Sequence, residues 1–434
     1  MRMPVLWREI VSVGATATLL VACGRMQPPI GAGAIPQASS PQTQGAPWPS
    51  VVAERVLYSF AGGSDGADPQ AALIAVNGEF YGTTSAGGNR GCAAGHGGCG
   101  TVYEVNSAGH ERVLHSFKGG TDGSEPEASL VDTNGRLYGT TASAGGYGCK
   151  TKYERGCGTV FEMPLSGKER VLYRFRGGTQ GAKPSSLLTL LNHSYYGETN
   201  AGGNGGCYRQ GCGVIFKISS SGRETVVYTF KAGQDGAAPS GGLTLSRGDF
   251  YGTTTGGGSY ACYWTGGCGT VFKMTPSGNE SVVHVFTGNP GDGAFPESGL
   301  VLLNSSLYGT TFSGGNFNCG LTYYLPCGTV FEVGASGHEK VIYNFKGGTD
   351  GAFPNNVIAV NGDLYGTTGT GGSRGCGTIF KVTPAGQETI LYEFTGGNDG
   401  CGPDSGLVDV NGTLYGTTEG GGAYADGTVY AVTP

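Results

Sequence analysis

The chain has 434 residues, of which only 13% are charged, and a formal net charge of -6, so it has no basic surface of the kind a nucleic-acid backbone requires. Its 86 glycines come close to one residue in five without the triplet period of collagen, which leaves them the role of punctuating turns. Length alone suggests two or three domains, but a closed ring of repeats absorbs as much chain in a single unit.

At the start of the chain, Arg2 and Arg8 precede an apolar run over residues 10–22. The run is short for a bilayer span and is built like a secretory signal. It ends in Leu20-Val21-Ala22-Cys23, which resembles the lipobox of bacterial lipoproteins. The resemblance implies cleavage before Cys23 and a lipid on its sulfur, so that the membrane is a partner through the anchor only; the plainer alternative is an ordinary signal peptide with an incidental cysteine. From residue 24 to 49 the chain is Pro, Gln, Ala, Ser and Gly with almost no charge, a composition that cannot bury a core and reads as a tether. The expected division is a signal over 1–22, an anchored linker over 23–53 and a folded unit over 54–434.

Within that unit one stretch recurs seven times, in fullest form as Leu364-Tyr365-Gly366-Thr367-Thr368. The repeats begin near Glu54, Glu111, Glu169, Glu224, Glu280, Glu339 and Glu388. Self-similarity at this period marks units that cannot bury their apolar faces alone. Each contains four short runs rich in β-branched and aromatic residues; in the second repeat these are 113–117, 128–133, 136–141 and 158–163. Such runs, separated by glycine, predict an all-β fold with little helix.

The turns predict the pairing. Asn77-Gly78, Asn134-Gly135, Asn361-Gly362 and Asn411-Gly412 separate the second and third runs, and Asn-Gly is the preferred pair for a two-residue hairpin with positive φ at both positions. Ser-Gly or Ala-Gly follows the fourth run, as at Ser166-Gly167, Ser277-Gly278 and Ala385-Gly386, and suits a second tight hairpin. Each repeat is then a four-stranded meander, and seven of them make a seven-bladed β-propeller. With the run before Asn-Gly innermost, as in kelch propellers, the glutamate-led run is outermost and residues 54–60 complete the last blade. An open solenoid is the alternative, and it would leave two sheet edges exposed.

The recurring Leu-Tyr-Gly-Thr-Thr, then Gly-Gly, then Gly-Thr-Val-Phe or Gly-Thr-Ile-Phe, complete over residues 364–380, resembles the GloVer tandem repeat of secreted and surface-anchored bacterial proteins described as having a choice of anchor. So does the Tyr-x-Phe followed by Gly-Gly-x-Asp-Gly at residues 343–351. The resemblance covers residues 54–434; it implies a propeller and a surface anchor and brings no catalytic residues with it. The third repeat departs from the pattern, with Glu198 for the first threonine and Gln180 for the turn aspartate, which makes its turns the least secure.

Five repeats hold a cysteine pair between their third and fourth runs: Cys92 with Cys99, Cys149 with Cys157, Cys207 with Cys212, Cys262 with Cys268, and Cys319 with Cys327. In an exported chain such spacing predicts local disulfides, worth about 2 kcal/mol each from chain entropy. Cys376 lies in the same loop of the sixth repeat and Cys401 on the connection toward the next inner strand, so these two are expected to join adjacent blades. The rival reading is metal, but each loop offers two cysteines, with His96 the lone histidine inside one, against the four ligands that zinc wants. No metal or cofactor is expected.

The Gly-Gly-x-Asp-Gly turns and their variants hold Asp65, Asp122, Asp235, Asp292, Asp350 and Asp399. One carboxylate per turn falls short of a calcium site, and the expected role is turn chemistry, each side chain bonding the backbone two residues on. Asp132 and Asp409 stand on presumed inner strands where other repeats have Ala or Leu, and a pair of channel carboxylates is what a glycosidase uses. Their other reading is a solvated strand end. No nucleophile elbow, zinc-protease helix or catalytic triad is present in the sequence. The cysteine loops vary in length and carry Tyr147, Tyr153, Tyr208, Arg209, Tyr263, Trp264, Tyr323 and Tyr324. Aromatics with polar neighbours on such loops suit stacking on a sugar ring or a peptide, and equally suit filling the loop over its own disulfide. The expectation is a monomeric, exported, lipid-anchored binding or scaffold propeller for a glycan or protein. The alternative is a carbohydrate-active enzyme, a hydrolase or lyase, working through Asp132 and Asp409.

Overall fold

The structure is a computed structural model and describes residues 52–89, 91–92, 97–146, 148–149, 156–203, 206–207, 210–262, 266–319, 326–334 and 337–434. The expected signal peptide, the lipidation site Cys23 and most of the tether lie outside these residues. Among the described residues the chain is strand and turn, with single 3-10 turns at Gly178–Gln180, Gly233–Asp235 and Gly348–Asp350.

Seven antiparallel sheets, each built on four strands, with a short pairing of Gly293–Ala294 and Ser313–Gly314 besides, make up the fold, an all-β seven-bladed propeller. From the inner to the outer strand, blade 1 is Ile74–Val76, Glu79–Thr84, Thr101–Asn106 and Glu111–Ser116. Blade 2 is Val131–Asp132, Arg136–Thr141, Thr159–Pro164 and Arg170–Arg174. Blade 3 is Thr189–Leu191, Ser194–Thr199, Val214–Ser219 and Glu224–Thr229. Blade 4 is Thr244–Ser246, Asp249–Gly256, Thr270–Met274 and Glu280–Val285, with Ala237–Pro239 paired further along the second strand. Blade 5 is Val301–Leu303, Ser306–Thr311, Thr329–Val333 and Glu339–Asn344. Blade 6 is Ala352–Val360, Asp363–Thr370, Thr378–Val382 and Glu388–Glu393. Blade 7 is Val408–Val410, Thr413–Thr418 and Thr428–Thr433, and its outer strand is Ala53–Ser59 from the other end of the folded unit.

That closing strand pairs antiparallel with the last one, from Ala53 opposite Thr433 to Ser59 opposite Thr428. The inner strand of blade 2 is shorter than the run 128–133 suggests. The carbonyl of Ala128 accepts the hydroxyl of Thr83 on blade 1, which holds this segment to the neighbouring blade rather than to its own sheet. The two-residue turns form as the Asn-Gly pairs predict, with φ of 51° at Asn361 and 91° at Gly362.

The recurring motif is explained by what each residue meets. Gly366 is paired across the sheet with Phe380, and a Cβ there would stand 2.6 Å from the ring. The same glycine-over-aromatic pair recurs on the other blades, so the motif needs glycine for close approach and not for its φ. The second threonine, Thr368, places its Oγ1 2.9 Å from that of Thr378 and donates to the carbonyl of Thr370 at 2.9 Å, which satisfies a buried strand end. The phenylalanine that ends each outer strand, from Phe60 to Phe394, is fully buried. It meets edge-on an aromatic of the next blade's third strand, as Phe345 does Phe380 at 5.0 Å and Phe394 does Tyr430 at 5.0 Å.

Among the described residues there are seven buried apolar clusters, and each draws from two adjacent blades. One joins Leu57, Phe60 and Val429 of blade 7 to Leu73, Phe80 and Tyr103 of blade 1, which closes the ring. The core is therefore a set of seams, each worth several buried aromatic and aliphatic side chains at about 1.5–3 kcal/mol apiece.

Candidate functional site: one end of the ring and its outer seams

In an antiparallel blade whose first two and last two strands are joined by tight hairpins, the second-to-third connection emerges at the opposite end of the sheet. The connection to the next blade emerges there too. That end carries six disulfides: Cys92–Cys99, Cys149–Cys157, Cys207–Cys212, Cys262–Cys268, Cys319–Cys327 and Cys376–Cys401. The glycine that opens the following turn lies against the disulfide: a Cβ on Gly119 or Gly288 would come 2.7 Å from Cys92 or Cys262 sulfur. The carbonyl of the second cysteine accepts an amide of the next blade, as Cys99 does from Glu125 at 3.0 Å and Cys327 from Phe353 at 2.9 Å. Each of the five short cystines thus holds its own loop and fixes a cross-seam hydrogen bond, while Cys376–Cys401 ties the blade 6 loop to the connection into blade 7.

Tyr147, Tyr153, Tyr208, Arg209, Tyr263, Trp264, Tyr323, Tyr324 and His96 lie outside the described residues. The same loops present three aromatics that the sequence reading passed over: Tyr260 is 68% exposed, Phe317 42% and Tyr424 63%. Tyr424 was hard to find because its loop, in blade 7, has no cysteine to mark it.

Asp132 and Asp409 sit at equivalent register positions on the inner strands of blades 2 and 7, opposite Leu137 and Leu414. Each gives one carboxylate oxygen to its own hairpin, Asp132 accepting from Gly135 amide at 3.0 Å and Asp409 from Gly412 amide at 3.1 Å. Both stand beside hairpins, at the end of the sheets away from the disulfides. At that hairpin end a cavity of about 330 Å³ lies between blades 4 and 5, lined by Arg247, Tyr251, Lys273, Val282 and Leu307 among others.

On the outer rim every seam repeats one polar arrangement that sequence reasoning missed. A glutamate opening the outer strand of one blade faces two groups of the blade before it: the tyrosine or histidine near that blade's outer-strand end and the aspartate of its turn. Tyr343 donates to Asp350 at 2.5 Å beside Glu388, and Tyr392 donates to Asp399 at 3.0 Å and to Glu54 at 3.5 Å. Tyr228 donates to both Asp235 and Glu280. Histidine takes the tyrosine's place twice: His115 Nε2 is 3.2 Å from Asp122, and His284 Nε2 is 3.4 Å from Asp292 and 3.9 Å from Glu339. At one seam Gln180 replaces the aspartate, leaving Tyr173 with Glu224. Burial first, and then the neighbouring aspartate, pushes Glu111 and Glu169 up to about 8 and Glu54, Glu280 and Glu388 to about 7. Burial raises Glu339 to about 7 against the opposing pull of His284.

These contacts correct the expected turn chemistry. The turn aspartates bond backward, Asp65 to the amide of Ala61 at 2.6 Å and Asp350 to that of Lys346 at 2.7 Å, instead of two residues on. The Gly-Gly step reverses the chain before the aspartate, which leaves the amides behind it within reach. The departure in blade 3 is also accommodated. Glu198 is 1% exposed, accepts the amide of Gly242 at 2.9 Å across the seam and is pushed by burial up to about 8.

The fold and its outer seams define a disulfide-braced seven-bladed propeller. The sequence profile of the Gloeobacter/Verrucomicrobia repeat matches residues 48–265, 147–323 and 264–434, and the chain belongs to that family. No curated protein matches the sequence. Among solved structures, a gluconolactonase from Xanthomonas campestris is similar at 12% identity and a TM-score of 0.38, over 88% of this chain and 89% of that one. A luciferin-regenerating enzyme is similar at 10% identity and a TM-score of 0.40, over 88% of this chain and 95% of that one. Likeness at this level leaves chemistry to be argued from the residues of this chain.

Proposed function

We propose that the protein is an extracytoplasmic binding propeller whose disulfide-braced end presents aromatic side chains to a glycan or protein ligand. The observation that carries the reading is the coincidence, at one end of a rigid ring, of six disulfides with the exposed rings of Tyr260, Phe317 and Tyr424. Exposed aromatics on loops held by a scaffold are a common means of stacking on sugar rings or peptide. The disulfides fit an oxidising compartment, and among the described residues no helix is long and apolar enough to cross a membrane. Attachment would come from a lipid on Cys23 after removal of residues 1–22, with residues 23–53 as the tether. Radiolabelled palmitate entering the wild-type protein but not Cys23→Ser is the expected result, and no incorporation into wild type would remove the anchor.

The enzymatic alternative loses support from the hairpin bonds of Asp132 and Asp409, which give each carboxylate a structural task away from the disulfide end. A glycan array run beside a reducing-sugar assay separates the two. Binding without turnover, weakened at least tenfold when Tyr260, Phe317 and Tyr424 are all changed to Ala, supports the binding propeller. Turnover abolished by Asp132→Asn would replace it with a carbohydrate-active enzyme.

A further inference from the structure

The outer seams differ in one atom type. At five of them a tyrosine hydroxyl faces the acids, Tyr58, Tyr173, Tyr228, Tyr343 and Tyr392; at the other two it is an imidazole, His115 and His284. Four of the phenols, Tyr58, Tyr228, Tyr343 and Tyr392, donate to an acid, and burial pushes the pKa of all five upward, so they remain neutral at any physiological pH. Imidazole instead offers a lone pair on Nε2.

At the seam between blades 4 and 5, three ligand atoms from three separate segments converge: Nε2 of His284, Oδ1 of Asp292 and Oε2 of Glu339, all within 4.8 Å of one another. The Nε2 to oxygen distances of 3.4 and 3.9 Å are near the edge, roughly 3.4 Å, of a tetrahedron with metal–ligand bonds of about 2.1 Å. Asp292 is already oriented: its Oδ2 accepts the amide and hydroxyl of Thr287 at 2.8 and 2.6 Å, and its Oδ1 accepts the amide of Gly293 at 2.7 Å while facing the imidazole. The side chain of Glu339 is only 8% exposed, and its Oε1 is buried with no hydrogen-bond partner, as is the Oε1 of each of the other six rim glutamates; what sets this seam apart is the imidazole, with His284 and Asp292 keeping 22% and 17% exposure and leaving the cluster open to solvent. A buried carboxylate oxygen without a donor is costly unless a proton or a cation accompanies it.

We propose that His284, Asp292 and Glu339 form a binding site for a divalent transition ion of the zinc class, which staples blade 4 to blade 5 from the rim. One nitrogen and two oxygen ligands suit Zn²⁺, and the remaining coordination position falls to water. The matching seam at His115, Asp122 and Glu169 is the weaker candidate. Lys118 and Arg174 act on Glu169 there, and their charge opposes a cation.

The other five seams supply the control, since tyrosine at this position is compatible with the fold. Chelator-treated full-length protein is titrated with Zn²⁺ by calorimetry, and with Co²⁺ by visible absorption. Wild type is expected to take up one equivalent with micromolar or tighter affinity, to show tetrahedral Co²⁺ bands and to gain several degrees in Tm with Zn²⁺. His284→Tyr is expected to lose the equivalent, the bands and the Tm gain while melting like metal-free wild type; His115→Tyr should keep all three. Absence of Zn²⁺ binding in wild type, or binding unchanged in His284→Tyr, would overturn the site. Should His284→Tyr fold poorly, Glu339→Gln gives the same test, because it removes the ligand charge while preserving shape.

Discussion

Blades 5 and 7 have the same four strands and differ in how they are held. Blade 5 is one continuous stretch, its loop clipped by Cys319–Cys327, and the carbonyl of Cys327 carries the bond to the next blade. Blade 7 takes its outer strand from the opposite end of the folded chain, and its loop has no cysteine. There Asp426 occupies the cystine's place: its carbonyl accepts the amide of Asp68 at 3.2 Å, and its side chain lies against Gly62 where a sulfur lies against Gly288. The single disulfide linking a blade to the next connection, Cys376–Cys401, stands at the entrance to blade 7. The comparison teaches that blade 7 is held by pairing with a strand from the far end of the folded chain and by a cystine at its entrance, where blades 1 to 5 rely on contiguity and a short cystine within the loop.

The largest effect is expected from removing residues 53–60. This deprives blade 7 of its outer strand and its seam of Phe60, exposing two sheet edges. Thermal unfolding followed by circular dichroism should lose its single cooperative transition, whereas removing residues 24–49 should leave the transition unchanged.

The disulfides come next. Cys376 and Cys401 are 25 residues apart and Cys207 and Cys212 only 5. Chain entropy assigns about 3.5 kcal/mol to the long loop and about 2 kcal/mol to the short one. Urea unfolding of the two double-serine variants should rank them in that order, and an equal or reversed loss would show that blade 7 does not depend on its cystine.

A smaller effect, of opposite sign, is expected at the closing seams. Tyr103 and Tyr430 bury their hydroxyls without a partner where the other blades have phenylalanine. Tyr430→Phe should raise stability by about 1 kcal/mol, because it removes an unsatisfied polar group and keeps the ring that meets Phe394.

The smallest difference concerns pH. Glu54 at the seam into blade 7 and Glu388 at the seam into blade 6 both rise from 4.5 to about 7. A carboxyl whose folded pKa lies above its unfolded value binds more protons when folded. Its contribution is therefore complete below about pH 4.5 and is lost as pH climbs through 7. Tm should fall between pH 5 and pH 8, and Glu54→Gln and Glu388→Gln should flatten that fall to the same degree, since the two seams share their chemistry.

Much of the fold was legible because its determinants are local and repeated. Asn361-Gly362 specifies a hairpin within its own dipeptide, and seven copies of one motif imply seven equivalent sheets. The assignment of residues 54–60 to the last blade followed from strand order once the run before Asn-Gly was placed innermost, and the observed strand is Ala53–Ser59. The outer seams were not legible, since Glu339, Asp292 and His284 belong to two different repeats and meet only when blades 4 and 5 pack. The recurring glutamate was visible as a landmark, but its partner lies in the neighbouring repeat, 52 residues earlier for Glu280 and 338 residues later for Glu54, at a distance set by the ring and not by any turn. The backward bonding of the turn aspartates was missed for a related reason: the Gly-Gly step that permits it takes positive φ at both residues, 73° and 59° at Gly347 and Gly348.

The closed ring is tested most directly by native-state hydrogen exchange on the amides of residues 53–59. Paired with Thr428–Thr433, the ladder amides of that strand should exchange only through global unfolding, with protection equal to that of Glu339–Asn344 in blade 5. Exchange at the rate of an unpaired chain end, with blade 5 still protected, would contradict the closure.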